Sequence, residues 1–375
     1  MKIIHSGFDK LVFAVKGAAK PSTIQHLDLY KEQAVKEQRD ITVPFEGDTR
    51  RGLIAQTGAQ GGYTYLLNFD GDLGHFICIK KNLSLNQWNA HVTINALALA
   101  VFGWEEAVAR VFSDLALIGF SDNGVSLNRI DYAMDFLNAG IELNPKHFVA
   151  HSRVKKSSNK LELNGYFRGQ LCESVTLGKM PNRQIIIYDK LREVTDKRKP
   201  AWFKIWNLDQ KDITQTIHRA EIRLGKNELL YREIRTFDDL RAKLIAAMSH
   251  AAQVIRYVTP RETDQNVSRW PNHPLWDHVQ AHIREHVLRN PNYVDPAPVK
   301  EVIREQKAIE SKKQVLGNMA NLSVFEDFDP ENLQSEMMQF MERELSRITV
   351  DPEHRFWKSR AKTQDRFKFL SQETS

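Results

Sequence analysis

The segment "NRIDYAMDF", Asn128 to Phe136, decides how the middle of this chain is built. In an extended strand successive side chains point to opposite faces. Ile130, Tyr132, Met134 and Phe136 then share one face and make a convincing core surface. Arg129, Asp131, Ala133 and Asp135 share the other. Two carboxylates two residues apart on one strand face repel unless something positive lies between them. A divalent cation held by oxygen ligands is one answer. A solvated face on which Arg129 pairs with Asp131 is the plainer one.

Two later segments repeat the pattern. In "HRAEIRLGK", His218 to Lys226, Arg219, Glu221 and Arg223 share a face, and Ala220, Ile222 and Leu224 form the other. Placed beside the first strand in one sheet, Glu221 would face Asp131 across a short gap. Arginines flanking a carboxylate suit a site that holds both a metal and a phosphate, and they suit a cross-strand ion-pair ladder as well. In "QIIIYDK", Gln184, Ile186, Tyr188 and Lys190 alternate onto one face. A tyrosine hydroxyl titrates near a pKa of about 10 and is a poor nucleophile at neutral pH. A neighbouring metal ion or lysine ammonium favours the phenolate and activates it. Alone, Tyr188 is as readily the polar end of a core strand. Together, the three strands bring forward the kinds of group that phosphoryl transfer uses.

The rest of the chain sets the frame. With 375 residues, 42% of them hydrophobic, there is material for a catalytic domain and a smaller second one. Fifty-three Lys and Arg against 47 Asp and Glu leave a net charge of +6, a small surplus that favours polyanionic partners. Cys78 and Cys172 are the only cysteines, which argues against a disulfide framework or a zinc finger and fits a reducing cytoplasm. The opening "MKIIHSGFDKLVFAVKG" is interrupted by Asp9 and Lys10, so it is expected to be a strand and not a signal peptide. No run approaches the roughly 20 apolar residues of a membrane span. A soluble, cytoplasmic protein is expected. GxxxxGK[ST] is absent, so nucleotide hydrolysis is not expected.

Along the chain, Ser22 is a plausible N-cap for a helix carrying Ile24, Leu27, Tyr30 and Val35. "GYTYLLNFDGDLGHFICIKK" predicts a hairpin around an Asp-Gly turn. Two helical segments follow, divided near Gly103, and a further helix runs from about Phe237 to Tyr257. Beyond that the composition shifts to helix formers. "ENLQSEMMQFMERELSRI" aligns Leu333, Met337, Phe340, Met341, Leu345 and Ile348 on one helix face. The boundary is placed near residue 262, giving an antiparallel α+β domain over 1–262 and a helical region over 263–375. His278, His282 and His286 recur every four residues but lack the HExxH arrangement, and are taken as a polar helix face.

Two basic segments suit DNA. "SRVKKSSNK" supplies Lys155 and Lys156, and the charged stretch "DKRKPAWFKIW" supplies Trp202 and Trp206 as base-stacking candidates. Lys179 and Arg183, bracketing the turn before "QIIIYDK", join them as DNA-binding candidates.

The ordered trio R-x-D-x-A-x-D, I-Y-D-K-x-x-E and R-x-E-x-R-L, beginning at Arg129, Ile187 and Arg219, resembles the phage and plasmid replication initiation factor family. These are rolling-circle initiators of the Rep_trans type, with related relaxases of integrative elements. The similarity covers roughly residues 7 to 250. It implies an antiparallel-sheet nicking domain related to the HUH endonucleases, with carboxylates where other branches use paired histidines. Position by position, Tyr188 would attack DNA to form a 5′-phosphotyrosine and leave a 3′-hydroxyl primer. Asp131 and Glu221, helped by Asp135, would hold Mg²⁺ or Mn²⁺. Lys190 and Arg223 would contact the scissile phosphate or the phenolate. The implied partners are single-stranded or hairpin origin DNA, a host helicase and polymerase, and a second copy of the chain. This chain departs from the family at "TLGKMPNRQ", where Lys179, Pro181 and Asn182 replace a hydroxyl-rich pattern. A relaxase of an integrative element and a non-catalytic DNA-binding regulator are the alternatives.

Overall fold

The computed structural model describes residues 1–45, 51–150, 162–211, 213–261, 263–289 and 294–371. In chain order its strands are β1 (Lys2–Ala19), β2 (Ile41–Pro44), β3 (Arg51–Ile54), β4 (Tyr65–Phe69), β5 (His75–Ile79), β6 (Trp88–Ile94), β7 (Phe120–Leu137), β8 (Phe148–Ala150), β9 (Leu163–Arg168), β10 (Leu171–Gly178), β11 (Arg183–Asp189), β12 (Ile217–Gly225) and β13 (Ile255–Tyr257). Eleven of them form one sheet in the order β2-β3-β4-β5-β6-β1-β7-β12-β11-β10-β9, and β8 pairs with β13 apart from it. Every pairing is antiparallel. The fold is α+β with a large antiparallel sheet, as the alternating segments predict.

β1 and β7, 18 residues each, are the central pair. Ile130, Tyr132, Met134 and Phe136 of β7 are buried, as their alternation requires. They lie among Phe8, Leu11 and Phe13 of β1 in the hydrophobic core. Phe8 meets Tyr132 edge-on at 5.8 Å, and Phe13 meets Phe237 edge-on at 5.2 Å. The helices Ala96–Leu117 and Phe237–Val254 close this side of the sheet. The expected division near Gly103 is one non-helical residue (φ 74°, ψ 166°), a conformation that glycine takes without a Cβ penalty.

β12 lies between β7 and β11, which places all three motif strands side by side. The register differs from expectation by two residues, which keeps the same face. Glu221 stands opposite Ala133 and Ile186, while Arg223 stands opposite Asp131 and Gln184. Glu221 is therefore diagonal to Asp131 and does not face it directly.

The chain divides into two compact units, Met1–Asp295 and Pro296–Ser375. The boundary expected near residue 262 thus falls inside the first unit. The helix Pro274–His286 buries Leu275, Trp276, Val279 and Ile283, and the Trp276 indole donates to the Ala252 carbonyl at 2.8 Å. A change in composition marked the end of the strands there and not the end of the core. The second unit contains the helices Pro296–Phe325, Leu333–Val350 and Arg355–Arg366. Of the apolar stripe on Leu333–Val350, only Met337 is buried. Among the described residues no helix is long and apolar enough to cross a membrane.

Candidate functional site

The face of the sheet opposite the apolar core carries a closed group of charges. Pairing aligns Asp135 of β7, Arg219 of β12 and Tyr188 of β11 in one rung, with His5 of β1 beside Asp135. Arg219 is fully buried. Its Nε donates to Asp135 Oδ1 at 2.6 Å and its Nη2 to Oδ2 at 2.8 Å. Its Nη1 donates to Asp9. Trp206 Nε1 adds a further bond to Asp135 Oδ2 at 2.8 Å. Burial pushes the Asp135 carboxyl up, but Arg219 more than offsets this and holds it below the usual carboxylate range. Asp9 reaches the site because β1 bulges between Phe8 and Lys10, opposite Tyr132 and Asp131. An extra residue in a strand re-aims its neighbours. His5 packs edge-on against Trp202 at 5.5 Å, and burial drives its pKa down to about 4.

A second cluster lies one and two rungs along. Arg129 clamps Asp131 through Nε at 2.8 and 3.0 Å and through Nη2 at 2.7 Å. Arg223 Nε sits 2.6 Å from Glu221 Oε1 and 3.7 Å from Asp131 Oδ2, so one nitrogen serves both carboxylates. Its Nη1 donates to Gln184 Oε1 at 3.0 Å. Glu221 Oε2 is buried and has no hydrogen-bond partner among the described residues. Burial, then the charges of Asp9 and Asp131, push Glu221 up to about 7 against the pull of Arg223. Asp131 is also raised by burial, with Arg129 and Arg223 opposing. Asp9, Asp131, Asp135 and Glu221 thus face Arg129, Arg219 and Arg223, with the buried Lys190 ammonium near enough to act on Asp9 and Asp135.

Tyr188 ends the alternation. Asp189 caps the helix Lys190–Asp196, accepting from the Arg192 N–H at 2.9 Å, so the chain turns from strand to helix directly after the tyrosine. Lys190 is accordingly helical, which corrects its placement by strand alternation. Its ammonium donates to Glu193 at 2.6 Å and lies 5.7 Å from the Tyr188 ring centroid and 4.6 Å from the Trp202 ring. Burial, then Arg219, lowers its pKa. Tyr188 is half-buried. Burial raises its phenol well above the usual value, while Arg219 pulls the other way.

A divalent ion finds one free carboxylate oxygen here, the buried Oε2 of Glu221, because Arg129 occupies both oxygens of Asp131. Asp135 does not fit as a ligand, because Arg219 and Trp206 already occupy both its oxygens. Among the described residues no group of three or more His, Cys, Asp or Glu is arranged to hold a metal.

The DNA-contact candidates fare unevenly. Lys155 and Lys156 lie outside the described residues. Lys179 is exposed and pairs with Glu162 at 2.9 Å. Arg183 points to the face opposite Tyr188, five residues earlier on the strand, and its largely buried guanidinium lies 3.5 Å from Glu228. It is a structural ion pair. Trp202 and Trp206 are both 4% exposed within the helix Ala201–Trp206, so no base can stack on them. They roof the Arg219–Asp135 pair, with Arg219 over the Trp202 ring at 4.5 Å. Sequence reasoning missed Asp9 and His5, and it saw Arg219 only as a flanking charge. The R-x-E-x-R alternation could have exposed Arg219; nothing local announces the bulge that brings in Asp9.

No family model matches this chain, and no curated protein matches it. Among solved structures it is similar to a rolling circle replication initiator protein from Geobacillus stearothermophilus, at 13% identity and a TM-score of 0.39, over 76% of this chain and 98% of that one.

Proposed function

We propose that the protein is a DNA strand-nicking and rejoining enzyme of the rolling-circle initiator kind, with an HUH-related sheet and Tyr188 as nucleophile. The observation that carries this is the rung Asp135–Arg219–Tyr188, with the Asp131–Arg223–Glu221 cluster one and two rungs along the same strands. A structural tyrosine needs neither a wholly buried arginine opposite it nor a neighbouring carboxylate with a free buried oxygen. The ordered motifs of the family resemblance fall on these same strands.

In this scheme Tyr188 Oη attacks the scissile phosphorus in line. The Oη–P bond forms, the P–O3′ bond breaks, and the phenol proton ends on the released 3′-hydroxyl. The 5′-phosphotyrosine preserves the bond energy for rejoining. Arg219 holds positive charge opposite the phenol, and Asp135 and Asp9 fix that guanidinium in place. Arg223 lies over the two carboxylates and supplies a donor for a non-bridging phosphate oxygen. Glu221, together with Asp131 once it exchanges the Arg129 guanidinium for the ion, would hold Mg²⁺ or Mn²⁺, which when bound withdraws charge from the phosphate.

The test uses an end-labelled single strand from the protein's own replicon with Mn²⁺ or Mg²⁺. A denaturation-resistant protein–DNA adduct is expected in the wild type and absent in Tyr188→Phe. An equally abundant adduct in that variant would overturn the assignment. Loss of DNA binding together with nicking in Glu221→Gln would count against a metal-ligand role for Glu221.

A further inference from the structure

The sheet ends at β9, and all six of its residues are exposed. Pairing continues the catalytic rung to that edge: Tyr188 stands opposite Ser174 of β10, and Ser174 opposite Tyr166 of β9. Paired residues share a face, so Tyr166 lies on the same side of the sheet as Tyr188. Two strand spacings separate them, about 10 Å. The adjoining rung continues Glu221 and Ile186 with Thr176 and Asn164. From Tyr188 outward the surface is therefore two hydroxyls, an amide and an aromatic ring that is 61% exposed. Phe167 does not share this role. A Cβ placed on Gly165 would meet the Phe167 ring at 2.7 Å, so that ring lies along Gly165 on the opposite face.

The edge is also held in place. Arg168 bonds Asp196 at 2.8 Å and lies 3.1 Å from Glu173, which ties the β9–β10 hairpin to the helix that follows Tyr188. Charge points to the kind of partner. Residues 151–200 contain twelve Lys and Arg against five Asp and Glu, a surplus of seven, whereas the whole chain has +6. The remaining 325 residues are thus acidic by one charge; four charges of the surplus come from residues 151–161 and three from residues 162–200, which include this edge and the nucleophile strand.

We propose that Tyr166 is a stacking platform for an unpaired base of single-stranded DNA next to the phosphate at Tyr188, with Ser174 and Thr176 donating to the backbone between them. The proposal rests on the nicking function only for what lies at Tyr188. Stacking on one exposed ring is tolerant of base identity and requires an unpaired strand.

The test measures binding of full-length protein to a fluorescein-labelled oligothymidylate and to a blunt duplex, by anisotropy, for wild type, Tyr166→Ala, Tyr166→Phe and Tyr188→Phe. Tyr166→Ala is expected to weaken single-strand binding about tenfold, or about 1.4 kcal/mol, with duplex binding unchanged. Tyr166→Phe keeps the ring and should stay within about twofold of wild type. Unchanged single-strand affinity in Tyr166→Ala, or an equal loss on duplex, would overturn the platform. The two functions separate cleanly. A Tyr166-dependent single-strand affinity with no adduct from the wild type sinks nicking and leaves the platform. An adduct that forms normally while Tyr166→Ala binds like wild type sinks the platform alone. Because Tyr166 is exposed, its variants should melt with the wild type.

Discussion

The two faces of β7 are buried to the same degree by opposite means. Tyr132, Met134 and Phe136 are sealed by aliphatic and aromatic packing, while Asp131 and Asp135 are sealed by arginines, each no more than 1% exposed. Apolar packing is forgiving, since a lost contact leaves a cavity. A closed ionic network is not, since removing one member leaves its partner charged, buried and unsatisfied. The difference explains how one sheet can be both a core and a site. The ionic face keeps a buried carboxylate oxygen of Glu221 without a hydrogen-bond partner among the described residues, which the apolar face has no counterpart for.

Substitutions at neighbouring positions break the comparison most directly. Asp135→Ala strands Arg219 and should cost about 3–5 kcal/mol, measured by urea unfolding. Phe136→Ala, the next residue on the opposite face, should cost about 3–5 kcal/mol through its cavity. Pairing Asp135→Leu with Arg219→Met should recover much of the first loss, because a packed apolar pair replaces a stranded charge. A small effect of Asp135→Ala alone would mean that water reaches the network.

Acid sharpens the contrast. His5 has a folded pKa of about 4, below its unfolded value of 6.5, so the unfolded chain takes up the proton first. The contribution of His5 should be flat above pH 6.5 and fall as pH drops toward 4, by up to about 3 kcal/mol. His5→Gln should flatten that decline in a series of melts. Glu221 behaves in the reverse sense. Its folded pKa of about 7 lies above the ordinary glutamate value of 4.5, so the folded state favours the protonated form. Stability from this group rises as pH falls from 7 to 4.5 and is withheld above 7. Glu221→Gln should therefore gain about 1–3 kcal/mol at pH 8 and nothing at pH 5, while losing nicking. The smallest effect is expected in the second unit, where Leu345 is 50% exposed and Leu345→Ser should change stability by less than about 0.5 kcal/mol.

Period-two alternation in three short segments was enough to place both faces and to bring Asp131, Asp135, Tyr188, Glu221 and Arg223 onto one sheet. It was legible because side-chain direction in a strand is a local property. The two-residue register offset between Glu221 and Asp131 was not legible, because register depends on partners far along the chain. Trp202 and Trp206 misled for a related reason. Their charged flanks suggested a surface loop, yet a six-residue helix turns both indoles inward over Arg219. Asp9 looked like an interruption of an apolar run, and only the bulge opposite Asp131 gives it a purpose.

The bond between Arg219 and Asp9 joins residues 210 positions apart. β1 is made first yet lies mid-sheet, flanked by β6 on one side and β7 on the other. Its ribosomal order and its spatial order are therefore at odds. Most of its pairing waits for β7, and its acidic side chain waits for β12. Folding dominated by such distant pairings is slow, whereas a helix forms in under about a microsecond. A nascent chain thus holds Asp9 without this counter-ion until Arg219, 210 positions later, has been added.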